Sequence, residues 1–170
     1  MSVKLRDLEQ SDLDIVYDWY NDPALYDTLV GDYVERSRSE AQEYMREHWI
    51  NGDKTLRKII MAGGTPVGLI ALSHIDRKQG RAAIDIFIAA SADRGKGYGR
   101  HALSLMLEAG FKTLGLNEIY LDLLDDNIVA RRIYDSCGFQ PLVGVQGTVV
   151  KNGMPKNIIR MVLAKEDWRA

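Results

Sequence analysis

Residues 93–100 read Asp93-Arg94-Gly95-Lys96-Gly97-Tyr98-Gly99-Arg100, between a strand-like run, Ile84 to Ala90, and a helix-like run, His101 to Lys112. Three alternate glycines and three cations stand on that boundary. Glycine reaches backbone conformations that a Cβ forbids, so the peptide can curl into a loop whose N–H groups converge on one point. The helix that follows adds the positive end of its dipole and its unpaired first-turn N–H groups, which together favour a phosphate or pyrophosphate. A Cβ at Gly97 or Gly99 would then occupy space that the phosphate needs. Two other phosphate loops fail on spacing. A P-loop requires Ser or Thr after its Gly-Lys, and Lys96 is followed by Gly97; the dinucleotide fingerprint has its third glycine one residue beyond Gly99. What remains is Arg94-x-x-Gly97-x-Gly99, which on its own also fits a glycine-rich turn beside a solvated basic face.

Toward the N-terminus the pattern is β. Ile59 to Ala62, a Gly63-Gly64-Thr65-Pro66 turn, Val67 to Ile75, a polar turn at 76–80, and Arg81 to Ala90 predict three antiparallel strands. Val3 to Leu8 alternates as a half-buried strand. Ser11 with Asp14 predicts a helix start, Leu13, Val16, Tyr17 and Tyr20 share its face, and Asn21-Asp22-Pro23 ends it. A second helix is expected from Ser37 or Ser39, where Ser39 and Gln42 have capping-box spacing, to Asn51-Gly52. Beyond the loop, Leu103, Met106, Leu107, Gly110 and Phe111 make one apolar helix face, and Glu118 to Leu124 is a strand. A shorter helix follows Asp126-Asn127 and stops at Cys137-Gly138-Phe139. Leu142 to Val150, an Asn152-Gly153 turn and Ile158 to Leu163 close the chain as a hairpin.

The composition, 46% hydrophobic and 27% charged over 170 residues, suits one domain spanning 1–170. A net charge of −2 gives no general attraction to nucleic acid or an anionic membrane, so the basic loop is a local feature. The start of the chain lacks an apolar signal core, and the single cysteine, Cys137, has no internal partner; a cytoplasmic protein is expected. No His, Cys, Asp or Glu cluster has metal-ligand spacing, so no metal is expected.

The glycine loop resembles the coenzyme A pyrophosphate loop of the GNAT superfamily of acyl-CoA-dependent N-acetyltransferases: Arg or Gln, two residues, Gly, one residue, Gly or Ala. A second signature, Asn127-x-x-Ala130-x-x-x-Tyr134-x-x-x-Gly138-Phe139, matches that family in order and spacing. With the β-β-β-α-β-α-β order, the resemblance covers essentially the whole chain. The first two helices and the Trp19-to-Pro23 stretch look most like the branch of ribosomal-protein N-terminal and spermidine acetyltransferases. The resemblance implies an α/β (α+β) fold: a mixed, mostly antiparallel sheet of about seven strands, helices on both faces, splayed between strands 4 and 5. It implies acetyl-CoA or coenzyme A as cosubstrate, its pantetheine arm bonded by the backbone of Phe87, Ile88 and Ala89. Its pyrophosphate would be held by Arg94, Gly95, Lys96, Gly97, Tyr98, Gly99 and Arg100, and its thioester bordered by Asn127, Ala130 and Tyr134.

Acyl transfer to an amine sets chemical requirements. An ammonium of pKa near 10.4 must lose a proton before attack, so a base is needed; the leaving thiolate wants an acid, for which Tyr134 is the candidate. Asp85 is a candidate base, but aligning the glycine loops places the family's carboxylate at Ile84, on the other face of the strand. His74 is an alternative because its ordinary pKa suits neutral pH. Direct attack leaves Cys137 no role as a nucleophile. Trp19, Asp22, Tyr26, Tyr33 and Glu35 either line an acceptor pocket or pack the helices onto the sheet. Carboxylates at Asp18, Asp22, Asp27, Asp32 and Glu35 suit a cationic acceptor: a polyamine, aminoglycoside or amino sugar, with a protein N-terminus also open. The final strands could pair two subunits as a homodimer. The alternative function is a catalytically silent acyl-CoA sensor.

Overall fold

The runs around Ile59, Leu69 and Ile84 carry apolar side chains on both faces, because the sheet they build is covered on both sides. The computed structural model describes residues 2–170. Its sheet contains β1 (Val3–Asp7), β2 (Leu56–Ala62), β3 (Thr65–Asp76), β4 (Arg81–Ile88), β5 (Glu118–Leu124), β6 (Gln140–Pro141), β7 (Gly147–Lys151) and β8 (Met154–Ala164). The order is β1-β2-β3-β4-β5-β8-β6, with β7 also paired to β8. All pairings are antiparallel except β4 with β5. Eight strands replace the expected seven or so. The difference lies after Phe139, where two residues pair with β8 before the chain loops out through Gly144, at φ +97°, and returns as β7. The expected strand from Leu142 therefore starts only at Gly147.

Helices α1 (Leu13–Tyr20) and α2 (Arg38–Met45) cover one face, burying Leu13, Val16, Ala41 and Met45 against Ile59, Leu69 and Ala71. Helices α3 (Tyr98–Glu108) and α4 (Ile128–Ser136) cover the other, where Leu103, Met106, Ile133 and Tyr134 meet Ile84, Ile119, Leu121 and Phe139. Of the first two helices, α1 starts later than expected and α2 starts at the first of the two expected caps. α1 is preceded by a 3-10 turn that includes Ser11; Asp12, buried, accepts from the Glu9 N–H at 2.8 Å and from Arg6 through both oxygens. α2 is capped by Ser37 with Glu40, not by Ser39 with Gln42, and Gln42 instead reaches Asp14 at 2.7 Å. Among the described residues no helix is long and apolar enough to cross a membrane.

Candidate active site

The site begins with a failure of pairing. β4 and β5 run parallel but are joined only over Arg81–Ala83 and Glu118–Tyr120, and beyond that point they diverge. The Ala89 N–H donates to the Val67 carbonyl of β3 at 2.9 Å. Alternation then turns the polar groups of Phe87 and Asp85 toward β3 and those of Ile84, Ile86 and Ile88 into the gap. Of the three residues expected to bond a pantetheine arm, Ile88 is the one whose amide faces the gap. An extended ligand carrying amides can complete this edge as another strand would.

At the end of that edge lies the glycine loop. Gly95 and Gly97 hold φ of +76° and +84°, and a Cβ built on either meets only open space. Gly97 caps α3, which starts at Tyr98, three residues earlier than expected. Gly99 and Arg100 thus belong to its first turn, and a Cβ on Gly99 would point at Ile86 and Ile88, 3.9 and 4.0 Å away. Gly99 therefore serves helix-on-sheet packing, and Gly95 and Gly97 bear the open side of the loop. Arg94 turns inward, donating to the Ile88 and Ala89 carbonyls at 3.1 and 3.2 Å. Lys96 pairs with Asp93 at 2.8 Å, which raises its pKa. With these two cations engaged locally, what the loop offers an anion is a backbone cradle at a helix N-terminus.

Tyr134 is placed by the way α4 ends. The Phe139 N–H reaches back to the Tyr134 carbonyl at 3.1 Å and the Gly138 N–H to the Asp135 carbonyl, also at 3.1 Å, with Gly138 at φ +94°. This is a Schellman closure, and its usual hydrophobic contact is the Tyr134 ring edge-on to Phe139, centroids 5.8 Å apart. Burial pushes the Tyr134 phenol up to about 12, with the Asp85 charge adding to the effect. At the other end of the helix, Asn127 accepts from the Ala130 N–H at 3.2 Å and donates to the Thr28 carbonyl at 3.3 Å. Its side-chain amide is thus a helix cap and a tie to the acceptor-side loop. A cavity of about 270 Å³ opens beside it, between Thr28, Leu124 and Ile128.

Ile84 is buried against α3, whereas Asp85 is exposed on the opposite face, toward α1 and α2. Ile84 is thus a core position with no carboxylate, and Asp85 lies on the other face from the position that the glycine-loop alignment gives the family's carboxylate. The Ser73 hydroxyl donates to Asp85 Oδ2 at 3.0 Å, and His74 Nδ1 lies 3.3 Å from that hydroxyl. Ser73 was not singled out in the sequence; only the β3–β4 register, which puts it diagonal to Asp85, reveals it. Asp85 also helps to push the Tyr20 phenol up to about 12, after burial.

On this face a cavity of about 260 Å³ is lined by Tyr17, Tyr20, Tyr26, Tyr44, Trp49 and Asp32, among others. Of the residues expected on the acceptor side, Tyr26 and the carboxylate Asp32 line it. Trp19 packs edge-on against Phe87 at 6.0 Å, and Asp22 caps the short turn Pro23–Asp27 through the Ala24 N–H. Tyr33 stacks edgewise on Tyr26 at 5.6 Å while donating to Asn21, and Glu35 is exposed outside the cavity. Lys151 of β7, buried, ties the Gly31 carbonyl and Asp32 and so pins the cavity's loop.

The family model described as an acetyltransferase (GNAT) domain matches residues 2–140. The chain belongs to the GNAT acetyltransferase family. A spermidine N(1)-acetyltransferase of Vibrio cholerae is 27% identical over 165 residues, 96% of this chain and 94% of that one. An aminoglycoside N(6')-acetyltransferase type 1 of Klebsiella pneumoniae is 27% identical over 158 residues, 87% of this chain and 77% of that one. The crystal structure of the V. cholerae spermidine N-acetyltransferase with CoA and spermine superposes with a TM-score of 0.89 at 26% identity, covering 97% of this chain and 96% of that one. This GNAT chain is an acyl-CoA-dependent N-acetyltransferase that uses acetyl-CoA and an amine, and the silent-sensor alternative is not favoured.

The gap and the loop suit the cosubstrate of a GNAT enzyme. β4 offers unpaired amides to an extended arm, and the loop ends that edge with free space over two glycines. Bound acetyl-CoA supplies an activated acyl group with a thiolate leaving group. Burial holds the Tyr134 phenol protonated well above neutral pH.

Proposed function

We propose that this acetyltransferase moves an acetyl group from acetyl-CoA to a primary amine of a polyamine, by direct attack in a ternary complex in the cytoplasm. Asp85 takes a proton from the ammonium, the freed amine attacks the thioester carbonyl, and Tyr134 gives its proton to the departing sulfur. The observation that carries the reading is the position of Asp85: exposed on the α1–α2 face of β4, on the stretch of that strand that β5 leaves unpaired. Gly95 and Gly97 hold the pyrophosphate through backbone N–H groups, and Ile88 receives the pantetheine arm. Tyr20, Tyr26 and Asp32 line the cavity, but Asp32 pairs with Lys151 and Arg36, Arg38 and Arg57 already lie over Tyr44, Tyr17 and Trp49, so the acceptor class rests on the relatives more than on the cavity's charge. The spermidine acetyltransferase match along nearly the whole chain supports the same acceptor class.

Self-association belongs to this reading. The V. cholerae spermidine enzyme has been solved as a dodecamer, and this chain exposes Val143, Val145, Val150 and Met154 around the β7–β8 hairpin. The test is release of free coenzyme A from acetyl-CoA with spermidine, spermine, aminoglycosides, amino sugars and N-terminal peptides. Polyamine-dependent release that falls at least about 10²-fold in Tyr134→Phe supports the acceptor and the acid together. Release with aminoglycosides alone would reject the polyamine.

A further inference from the structure

We propose that Ser73 and His74 form, with Asp85, a relay that carries the amine's proton out of the closed site to solvent. The proposal rests on Asp85 being the base, and it joins two residues that had stood as alternatives. Asp85 opens toward the side from which the acceptor arrives, so an acceptor in place covers it. The link that remains is the Ser73 hydroxyl, itself buried, 3.0 Å from Asp85 Oδ2. On the other side of that hydroxyl is His74 Nδ1, at 3.3 Å, on an exposed residue. Carboxylate, buried hydroxyl and exposed imidazole thus form a chain of two contacts.

The backbone is bent to make this contact. Neighbouring side chains of a regular strand point to opposite faces, which would carry the imidazole away from Ser73. Here the β3–β4 register shifts between Ser73 and Asp76, and His74 holds φ +50°. That left-handed conformation is unfavourable for a residue with a Cβ. Strained positions of this kind concentrate where a side chain has to be aimed.

The steps balance in protons alone. The ammonium gives H⁺ to Asp85, leaving a neutral amine and a carboxylic acid. The acid proton passes to Ser73 Oγ as the Ser73 hydroxyl proton passes to Nδ1 of an imidazole protonated on Nε2. The products are a carboxylate, a hydroxyl and an imidazolium, and the imidazolium releases its Nε2 proton to water. The hydroxyl then donates to Asp85 again while accepting from Nδ1–H, the arrangement the distances describe. An exposed imidazole exchanges its tautomers through solvent before the next turnover.

The test is steady-state turnover of acetyl-CoA and spermidine in weak buffer, then with imidazole added, for wild type, Ser73→Ala, Ser73→Thr, His74→Asn and Asp85→Asn. Asn tolerates the left-handed backbone, and thermal unfolding of each variant reports the fold. Ser73→Ala and His74→Asn are expected to lose about 10-fold or more in kcat, with the KM for acetyl-CoA unchanged, and to recover as imidazole is added, while wild type stays flat. Ser73→Thr keeps the hydroxyl and is expected to lose less rate than Ser73→Ala. Asp85→Asn slow with Ser73→Ala and His74→Asn at wild-type speed overturns the relay and leaves the base in place. Slow variants that ignore added imidazole reveal a structural role and also overturn it. Asp85→Asn at full speed removes the base, and the relay with it.

Discussion

The Tyr134 phenol offers the sharpest quantitative test, because its environment sets both a titration and a stability. Burial, helped by the Asp85 charge, holds it at about 12 against an ordinary 10.0. The unfolded chain gives up this proton near pH 10 and the folded chain near 12. The neutral phenol's contribution is therefore complete below pH 10 and lost as pH rises to 12, on the order of 3 kcal/mol in all. Tyrosinate absorbance in wild type minus Tyr134→Phe isolates this one group. Its midpoint should lie near 12 in the native protein, and the difference in unfolding free energy between the two proteins should change by about that amount from pH 10 to 12. A second variant tests geometry: removing the carboxylate in Asp85→Asn should lower the Tyr134 midpoint, since a nearby negative charge opposes ionisation. A midpoint at the ordinary value would mean a hydrated phenol at the gap and would refute the desolvated acid. A midpoint insensitive to Asp85 would separate acid from base in space.

Three further outcomes follow from single contacts. Gly97→Ala places a Cβ on a backbone at φ +84°, at a cost of about 1–2 kcal/mol, so coenzyme A affinity by calorimetry should fall roughly 10-fold; unchanged binding would mean that the cradle is not the anion site. Gly138→Ala strains the Schellman closure and crowds Leu163 Cδ1 at 3.4 Å, so Tm should drop by roughly 2–8 °C and kcat should fall with it as Tyr134 loosens. Arg6→Met leaves the buried Asp12 carboxylate without its two-pronged partner. Arg6 hydrogen bonding holds that pKa low, a contribution present above about pH 4 and lost as pH falls through the depressed value. The variant should be less stable by about 1–3 kcal/mol at pH 7, and the gap should narrow in acid as measured by urea unfolding.

What the sequence shows of this site is what depends on short spacing. The glycine loop and the Asn127-to-Phe139 helix are each built from bonds closed within a few residues, such as the Gly138 and Phe139 N–H groups returning to α4, so residue type and interval suffice to find them. Local competition hides more: Ser37 and Ser39 each have a partner three residues on, and Gln42 is drawn away by Asp14, a contact 28 residues distant. The face of Asp85 follows from strand alternation once Ile84 is known to be core, but its link to Ser73 requires the β3–β4 register. The acceptor cavity is least legible. Trp19 and Trp49 are equally plausible from composition, and only packing sends the first to Phe87 and leaves the second lining the cavity. Likewise Asp32 is held at the rim by Lys151, far along the chain.

The proposed acid and base lie on opposite faces of one sheet. Tyr134 packs with the α3–α4 core, while Asp85 faces the side where Tyr20 packs with the α1–α2 core. A continuous sheet is an effective barrier between two such groups, since its backbone bonds are already made and its side chains fill both faces. The break in that barrier is the divergence of β4 from β5 after Ala83. In the proposed mechanism the gap therefore does two things with one structural defect: it leaves strand-edge amides free for the cosubstrate, and it lets Asp85 deprotonate the amine from one face while Tyr134 protonates the leaving sulfur from the other. Any change that extended the β4–β5 pairing past Ala83 would remove both functions together, however well the glycine loop and Tyr134 were preserved.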